Sequence, residues 1–174
     1  MPGPNRTDSL HLGFMTVVEV AGGTFVGGLL VTNKLGRPLE FQCTTPVKPN
    51  RTQEILYGPT LKPFLFSELI GKTLMERLQV KPQLLLIDQP DLLDLRNHVD
   101  LPVACLIVKG KQPDDLADQT RLALGNQQVR FHPDHPGDVE TVREQSRMIP
   151  GDADTQEPVD RVREALQETL KGAA

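Results

Sequence analysis

The amino-acid sequence predicts a mixed α/β fold in which an antiparallel three-stranded meander, a buried helix and a βαβ unit share one sheet. Strand-like alternation within residues 10–47 predicts the meander, and apolar residues at helical spacing over Leu61–Leu78 predict the helix. Short apolar runs at Leu84–Ile87 and Val103–Val108 predict two further strands that are buried on both faces. The predicted element order is therefore β-β-β-α-β-α-β, followed by a helical arm at the C-terminus.

The three strands of the meander are predicted from apolar periodicity and from the turns between them. Residues 10–20 carry apolar side chains on both faces, which is typical of a central strand. A glycine pair at 22–23 predicts a tight turn into a second strand over Phe25–Thr32, which a second glycine pair interrupts. Residues 38–47 alternate cleanly between apolar and polar side chains, so we expect a third strand there.

The buried helix and the βαβ unit form the second half of the predicted core. The apolar positions of Leu61–Leu78 nearly encircle the helix axis, so we expect this helix to be largely buried. Residues 48–60, which precede it, are polar and contain proline, and we expect a connection there. Pro90–His98 predicts a short helix between the two buried strands, within a right-handed crossover.

A change of composition near residue 110 suggests a division of the chain. Residues beyond this point are rich in Asp, Gln, Pro and Gly, up to a terminal helix with one apolar face. We therefore expect four segments: a disordered N-terminus at 1–9, an α/β core at 10–110, a partly helical polar extension at 111–153 and an amphipathic helix at 154–172.

Composition and charge indicate the partners and the compartment. The chain of 174 residues has a formal net charge of −4, and it shows no cluster of Lys and Arg. Since nucleic-acid binding depends on neutralised phosphates, we expect no nucleic-acid partner. No apolar stretch approaches the roughly 20 residues that span a bilayer, so we expect no membrane association. The polar N-terminus and the two cysteines in apolar strands favour the cytoplasm of a bacterium-like cell.

The predicted element order is that of ribonuclease H-like nucleases, in which a three-stranded meander precedes a helix and then parallel strands. It fits profilin-like and GAF-like domains less well, because those domains usually end in antiparallel strands. The resemblance to the nucleases rests on element order alone. It implies phosphoryl transfer by two divalent metal ions, Mg²⁺ or Mn²⁺, which three or four converging carboxylates must hold.

Three carboxylates are candidates for this catalytic set: Glu19 on the first strand, Glu68 within the long helix and Asp88 after the fourth strand. Each also has an ordinary structural interpretation. Asp88 suits the cap of the helix that begins at Pro90, Glu68 suits an ion pair with Lys72, and Glu19 suits a solvated strand face. The first strand lacks the aspartate that usually anchors this chemistry.

A second candidate metal site lies in the polar extension. His132, Asp134 and His135 provide imidazole and carboxylate ligands of the type that zinc accepts. However, Pro133 and Pro136 prevent the regular helix on which two such histidines converge most easily. A structural loop is therefore the alternative interpretation.

The two cysteines are candidate nucleophiles, with His11 or His98 as a base. Cys43 and Cys105 lie in apolar strand patterns, however, so we expect inert, buried thiols. The glycine pairs do not indicate a cofactor, because they lack the strand–turn–helix context that places a phosphate on a helix N-terminus.

Two apolar features predict a protein partner. Leu56 and Tyr57 lie in a proline-flanked segment, where they form either a partner-binding ridge or a staple over the following helix. The terminal helix of about four turns is too short to be stable alone, so its apolar face needs its own domain or a neighbour. That face consists of Val159, Val162, Leu166 and Leu170.

These observations lead to one main functional hypothesis and an alternative. We expect a non-catalytic α/β adaptor or assembly subunit that binds a protein partner or further copies of itself, with no cofactor. The alternative is a metal-dependent, nuclease-like phosphoryl-transfer enzyme that uses Glu19, Glu68 and Asp88. Small-ligand sensing in a pocket between sheet and helix is a third hypothesis.

Overall fold

A single seven-stranded mixed sheet forms the centre of the computed structural model, which describes residues 10–107 and 121–172. The strands lie in the spatial order β3-β2-β1-β4-β5-β7-β6. Their bounds are β1 (His11–Val20), β2 (Thr24–Asn33), β3 (Pro38–Cys43), β4 (Leu84–Ile87), β5 (Val103–Ile107), β6 (Arg121–Leu124) and β7 (Gln127–Phe131).

The sheet combines antiparallel and parallel pairing, as the sequence predicts. β1, β2 and β3 form the antiparallel meander. β4 runs parallel to β1 on its other side, and β5 runs parallel to β4, so the predicted βαβ unit and the meander share one sheet. β7 and β6 add two antiparallel strands beyond β5, which brings part of the polar extension into the sheet. The predicted mixed α/β fold is confirmed.

The second strand is continuous, although we expected its glycine pair to interrupt it. Gly27 and Gly28 both lie within β2, and their α-carbons face helices on opposite sides of the sheet. A Cβ atom on Gly27 would lie 2.1 Å from Cγ2 of Ile70, and one on Gly28 would lie 2.9 Å from Cγ1 of Val162. Close helix packing on both faces therefore explains this pair.

The third strand ends sooner than its alternating pattern predicts. Beyond Cys43, the chain still bonds to β2 through Thr44 and Val47, but no longer as a regular strand. Pro46 has no N–H group to donate to a ladder, which accounts for the early end.

The helical region before β4 is longer and less regular than expected. It begins with α1 (Arg51–Tyr57), a helix that the expected polar connection over residues 48–60 did not include. Asn50 and Gln53 form a capping box that starts this helix. The chain continues through a 3₁₀ turn (Gly58–Thr60), α2 (Leu61–Pro63), a π-helical segment (Phe64–Gly71) and α3 (Lys72–Arg77).

Three further helical elements complete the fold. A 3₁₀ segment (Pro90–His98) connects β4 to β5, α4 (Asp138–Ser146) follows β7, and α5 (Glu157–Gly172) is the last described element. The Asp154 carboxylate accepts hydrogen bonds from the backbone N–H groups of Gln156 and Glu157. This cap explains why α5 begins where it does.

Two hydrophobic layers cover the sheet. One layer packs α4 and α5 against strand residues such as Phe14 and Leu86. The other packs residues 64–78 and the 3₁₀ segment against strand residues such as Met15 and Ile87. Consecutive residues of β1 and β4 thus face different helical layers, as the pleat of a strand requires.

Within residues 10–107 and 121–172, no helix has the length and apolarity needed to cross a membrane. The expected disordered N-terminus at 1–9 lies outside the described residues, as does the first part of the polar extension.

Replacing Gly27 with Ala should reduce stability, because a methyl group there has no room beside Ile70. We expect the free energy of unfolding to fall by about 1–3 kcal/mol, the usual cost of overpacking a core. Urea denaturation measures this change. Gly137→Ala is the matched control, because Gly137 has a φ of −69° and a Cβ atom there would meet nothing within 4 Å. An equal loss in the control would contradict the close packing at Gly27.

Candidate functional site

A polar site lies where β4 ends beside the middle of β1. β4 stops at Ile87, whereas β1 continues to Val20, so the residues that follow β4 lie alongside β1. Thr16 and Asp88 meet there, on the face of the sheet that α5 covers. Ligands of open α/β sheets gather beyond the carboxyl ends of parallel strands, and Asp88 follows such an end.

Both oxygens of the Asp88 carboxylate are engaged. The Thr16 hydroxyl donates to Oδ1 at 2.9 Å, and the Arg163 guanidinium donates through Nη2 to Oδ2. The side chain of Asp88 is only 9% exposed, so Arg163 compensates a charge that is largely removed from water. The sequence interpretation of Asp88 as a helix cap is therefore not met, because the 3₁₀ segment has no side-chain cap.

Arg163 reaches the site from the second turn of α5. Its Nη1 lies 3.1 Å from Oδ1 of Asp160 on the same helix, and its Nη2 lies 3.3 Å from the hydroxyl oxygen of Thr16. Two carboxylates and one hydroxyl thus hold the guanidinium, although 35% of the side chain remains exposed. A planar group with five N–H donors suits this shared arrangement.

Gln89 extends the pairing between β4 and β1. Its side-chain carbonyl accepts a hydrogen bond from the Val17 N–H at 2.8 Å, and its amide group donates to the Val17 carbonyl at 2.9 Å. The side chain thereby satisfies backbone groups that β4 no longer reaches. The polar site consequently rests on a fixed strand.

The other two carboxylates of the predicted set do not join Asp88. Glu68 lies on the π-helical segment, with Oε1 at 3.5 Å from Nε2 of His98 rather than in the expected pair with Lys72. Glu19 is exposed near the end of β1. Over the two described ranges, no group of three or more His, Cys, Asp or Glu side chains is arranged to hold a metal ion.

The residues at Asp88 do not fit the two metal ions that a ribonuclease H-like element order implies. Such ions, about 4 Å apart, require three or four carboxylates. Here the neighbour on β1 is the neutral Thr16, and Arg163 is bonded to Asp88 itself. The nearby carboxylate of Asp160 is bonded to the same guanidinium. Mg²⁺ and Mn²⁺ prefer oxygen ligands, and a guanidinium offers none.

The histidine-rich loop forms a hydrogen-bonded cluster. Nε2 of His135 lies 2.8 Å from Oδ1 of Asn97, and Nε2 of His132 lies 3.2 Å from Nδ2 of the same side chain. Asn97 also donates to Asp94, and the backbone N–H of Asp134 donates to Nδ1 of His132. These contacts support the structural-loop interpretation, and the described residues form no metal-holding group here.

The cysteines have the surroundings of structural thiols. Cys105 is buried in β5, and burial raises the pKa of its thiol to about 11. A thiol with that pKa stays protonated at neutral pH, whereas the thiolate is the nucleophile. Cys43 is partly buried and packs against the core.

The apolar face of the terminal helix is used within the chain. Val159, Val162 and Leu166 are at most 1% exposed because they pack against the sheet, and Leu170 packs against the same core. The prediction that these four residues bind a partner is therefore wrong. α5 buries its apolar face against its own domain rather than against a neighbouring protein.

The aromatic segment before the π-helical region folds back on the chain. The ring of Tyr57 stacks on that of Phe64, with 4.3 Å between centroids and 14° between planes. This contact favours the staple over the partner-binding ridge. Leu56 stays largely exposed.

Sequence reasoning does not identify Thr16 and Arg163 as site residues. The signal for Thr16 is a polar side chain between the apolar residues Phe14 and Val18 on one strand face, at a position that is fully buried. Arg163 has no comparable signal, because its role depends on how α5 docks.

Arg163→Met should leave the Asp88 carboxylate without its cationic partner while keeping a long apolar side chain on α5. We expect the free energy of unfolding to fall by about 1–3 kcal/mol, because a largely buried acceptor loses a charged donor. Arg51→Met is the control, since Arg51 and Glu54 form a surface ion pair worth less than about 1 kcal/mol. Urea denaturation compares the two variants. If Arg163→Met costs no more than the control, the Asp88 pair contributes no more than a surface pair.

Comparisons with known proteins give likenesses of structure. No family model and no curated protein matches the chain. The chain is similar to the catalytic domain of human endonuclease V, with a TM-score of 0.51 and 19% identity, over 94% of this chain and 85% of that one. It is also similar to endonuclease V of Ciona intestinalis, solved in complex with a 24mer DNA that contains an inosine followed by a ribo-adenosine. That match has a TM-score of 0.52 and 12% identity, over 97% of this chain and 89% of that one.

These likenesses correct the functional hypotheses drawn from the sequence. They overturn the main hypothesis, a non-catalytic protein-interaction or assembly subunit, and favour the nuclease-like alternative. They also overturn the expectation of no nucleic-acid partner, since one similar structure contains DNA. Net charge does not report how charge is distributed over a surface, so it does not exclude such a partner. The chain has a ribonuclease H-like fold of the kind found in endonuclease V.

Proposed function

We propose that this chain binds a nucleic acid at the end of the sheet where β4 stops and Asp88 follows it. The observation that carries the proposal is the likeness to two endonuclease V structures over 94% and 97% of the chain. One of those proteins was solved in complex with inosine-containing DNA. Because proteins of one fold have many functions, the binding of nucleic acid must also be supported by the surface of this chain.

The shape of this end of the sheet supports the proposal. β1 and β2 extend past the end of β4, so their connecting turn at 21–23 lies further along the strand direction than Asp88. Lys48 is exposed beside that turn, with Nζ 3.9 Å from the place of a Cβ atom on Gly22. A phosphate group of a bound strand would find a cation there.

Two arginines supply positive charge on β6 and β7, on the face of the sheet opposite to α5, where Cys105 also lies. Arg121 on β6 lies opposite Arg130 on β7, and Arg130 is in register with Cys105 on β5. Since neighbouring strands lie about 4.8 Å apart, β7 is about 10 Å from β4. Nε of each arginine is buried and has no hydrogen-bond partner among the described residues. Like charges opposite each other destabilise a sheet, and a phosphate is an anion that stabilises such a pair.

A titration of labelled DNA tests the proposal directly. We expect single-stranded and duplex probes, each with and without an inosine, to gain fluorescence anisotropy as the protein binds. Their affinity should fall as salt rises, because phosphate contacts release counterions. If none of the four probes binds, or if binding is independent of salt, the proposal is wrong.

Arg121→Gln tests which surface binds the nucleic acid. We expect weaker binding, and a plot of log affinity against log salt whose slope is smaller by about 0.9 for each phosphate that the variant no longer neutralises. Lys34→Gln is the matched control, because it also removes one positive charge. Lys34 is exposed just after β2, at the opposite end of the sheet from Asp88. Equal weakening by both variants would contradict a defined interface.

Phosphodiester cleavage is a second candidate function, which the fold likeness and the place of Asp88 after β4 favour. Cleavage with a divalent metal at Asp88 requires the Arg163 guanidinium to move away first. Gel electrophoresis of labelled inosine-containing DNA, incubated with Mg²⁺ or Mn²⁺, decides between the two functions. Products that disappear in Asp88→Asn establish cleavage, whereas intact but bound DNA leaves binding as the function.

A further inference from the structure

We propose that Arg163 is the resident cation of the Asp88 site, so that the chain engages nucleic acid there without a divalent metal. The first part concerns the site alone. The second part rests on the proposed function. Both parts follow from the disagreement between the residues at this site and the two-metal chemistry suggested by the fold.

The charge of Asp88 is already balanced within the chain. Asp88 is bonded to Arg163, and a divalent ion beside this carboxylate would lie close to a guanidinium of the same sign. The repulsion between two cations is strong where water is largely excluded, as it is around Asp88. Asp160 is paired with the same guanidinium, and its Oδ1 also accepts a hydrogen bond from the side chain of Gln156.

The oxygen atoms that a metal would need are used by protein donors. Oδ1 of Asp88 accepts from Thr16, and Oδ2 accepts from Arg163. The side-chain carbonyl of Gln89 accepts from the Val17 N–H. Mg²⁺ demands near-octahedral oxygen coordination, so its entry would have to break several of these bonds together.

The docking of α5 keeps the guanidinium in place. Val162, the residue before Arg163, is 1% exposed, and Leu166 on the next turn is fully buried. Gly28 lets this helix approach so closely that a Cβ atom there would lie 2.9 Å from Val162 and 3.0 Å from Leu166. The helix cannot retract from Asp88 without opening the core. Arg163 therefore leaves only by rotating its own side chain and giving up its bonds to Asp88 and Thr16.

The metal part of the inference is tested on the full chain without nucleic acid. The Tm is measured by differential scanning fluorimetry in EDTA and in Mn²⁺ or Mg²⁺, at constant ionic strength, because a bound ion stabilises by mass action. We expect no rise in the Tm of the wild-type chain. The double variant Thr16→Asp/Arg163→Gln adds a carboxylate beside Asp88 and removes the guanidinium, so we expect Mn²⁺ to raise its Tm. Adding Asp88→Asn should abolish that rise.

Two outcomes would overturn the metal part. One is a rise of the wild-type Tm with Mn²⁺ that Asp88→Asn abolishes. The other is a folded double variant whose Tm does not respond to Mn²⁺, since Thr16 and Arg163 would then not be what keeps a metal out. If the double variant does not fold, the single variant Arg163→Gln replaces it. A rise of its Tm with Mn²⁺ that Asp88→Asn abolishes supports the inference, and no rise contradicts it.

The nucleic-acid part is tested by titrating labelled inosine-containing DNA in EDTA and in Mg²⁺ at equal ionic strength. Equal affinities support the inference, and binding that requires the metal overturns it. If the DNA binds under neither condition, the proposed function fails. The Tm measurements then still decide whether Arg163 is the resident cation, so the two failures are distinguishable.

Discussion

The ion pair between Asp88 and Arg163 joins the middle of the sheet to the last helix, across 75 residues of sequence. Apolar burial of Val162 and Leu166 brings α5 to the sheet. The ion pair then distinguishes one placement of the helix from others, because a shift by one turn would leave Asp88 buried without a cation. The site and the docking of α5 therefore depend on each other.

Local patterns predict the sheet because each strand carries its own periodicity. β1, β4 and the start of β5 lie where apolar alternation and short apolar runs place them. Asp88 is a candidate on sequence alone, since a carboxylate directly after a buried parallel strand has a recognisable position. α1 escapes prediction although Asn50 and Gln53 carry its capping signal, because the segment has few apolar residues to support a helical pattern.

The rest of the site depends on contacts that local patterns do not contain. Thr16 and Arg163 are 147 residues apart and meet only after the sheet has formed and α5 has docked. The apolar residues of α5 show that one face of the helix must be buried. The same pattern arises whether that face packs on the chain's own sheet or on another protein. The hypothesis of a partner-binding arm failed because the amphipathic pattern does not identify what the helix packs against. Net charge likewise does not show that Arg121 and Arg130 become neighbours, because strand pairing brings them together.

A guanidinium and a divalent metal act differently on a phosphodiester. A metal lowers the pKa of a bound water and so makes a nucleophile, whereas a guanidinium stays charged and orients oxygen atoms through N–H donors in one plane. Arg163 compensates the charge of Asp88. The repulsion that an unpaired carboxylate would exert on the phosphates of a nucleic-acid strand is therefore reduced. The same contact occupies the carboxylate that would otherwise act as a base or a ligand. Under the proposed function, Arg163 thus makes the end of β4 at Asp88 more suitable for holding a nucleic acid than for hydrolysing it.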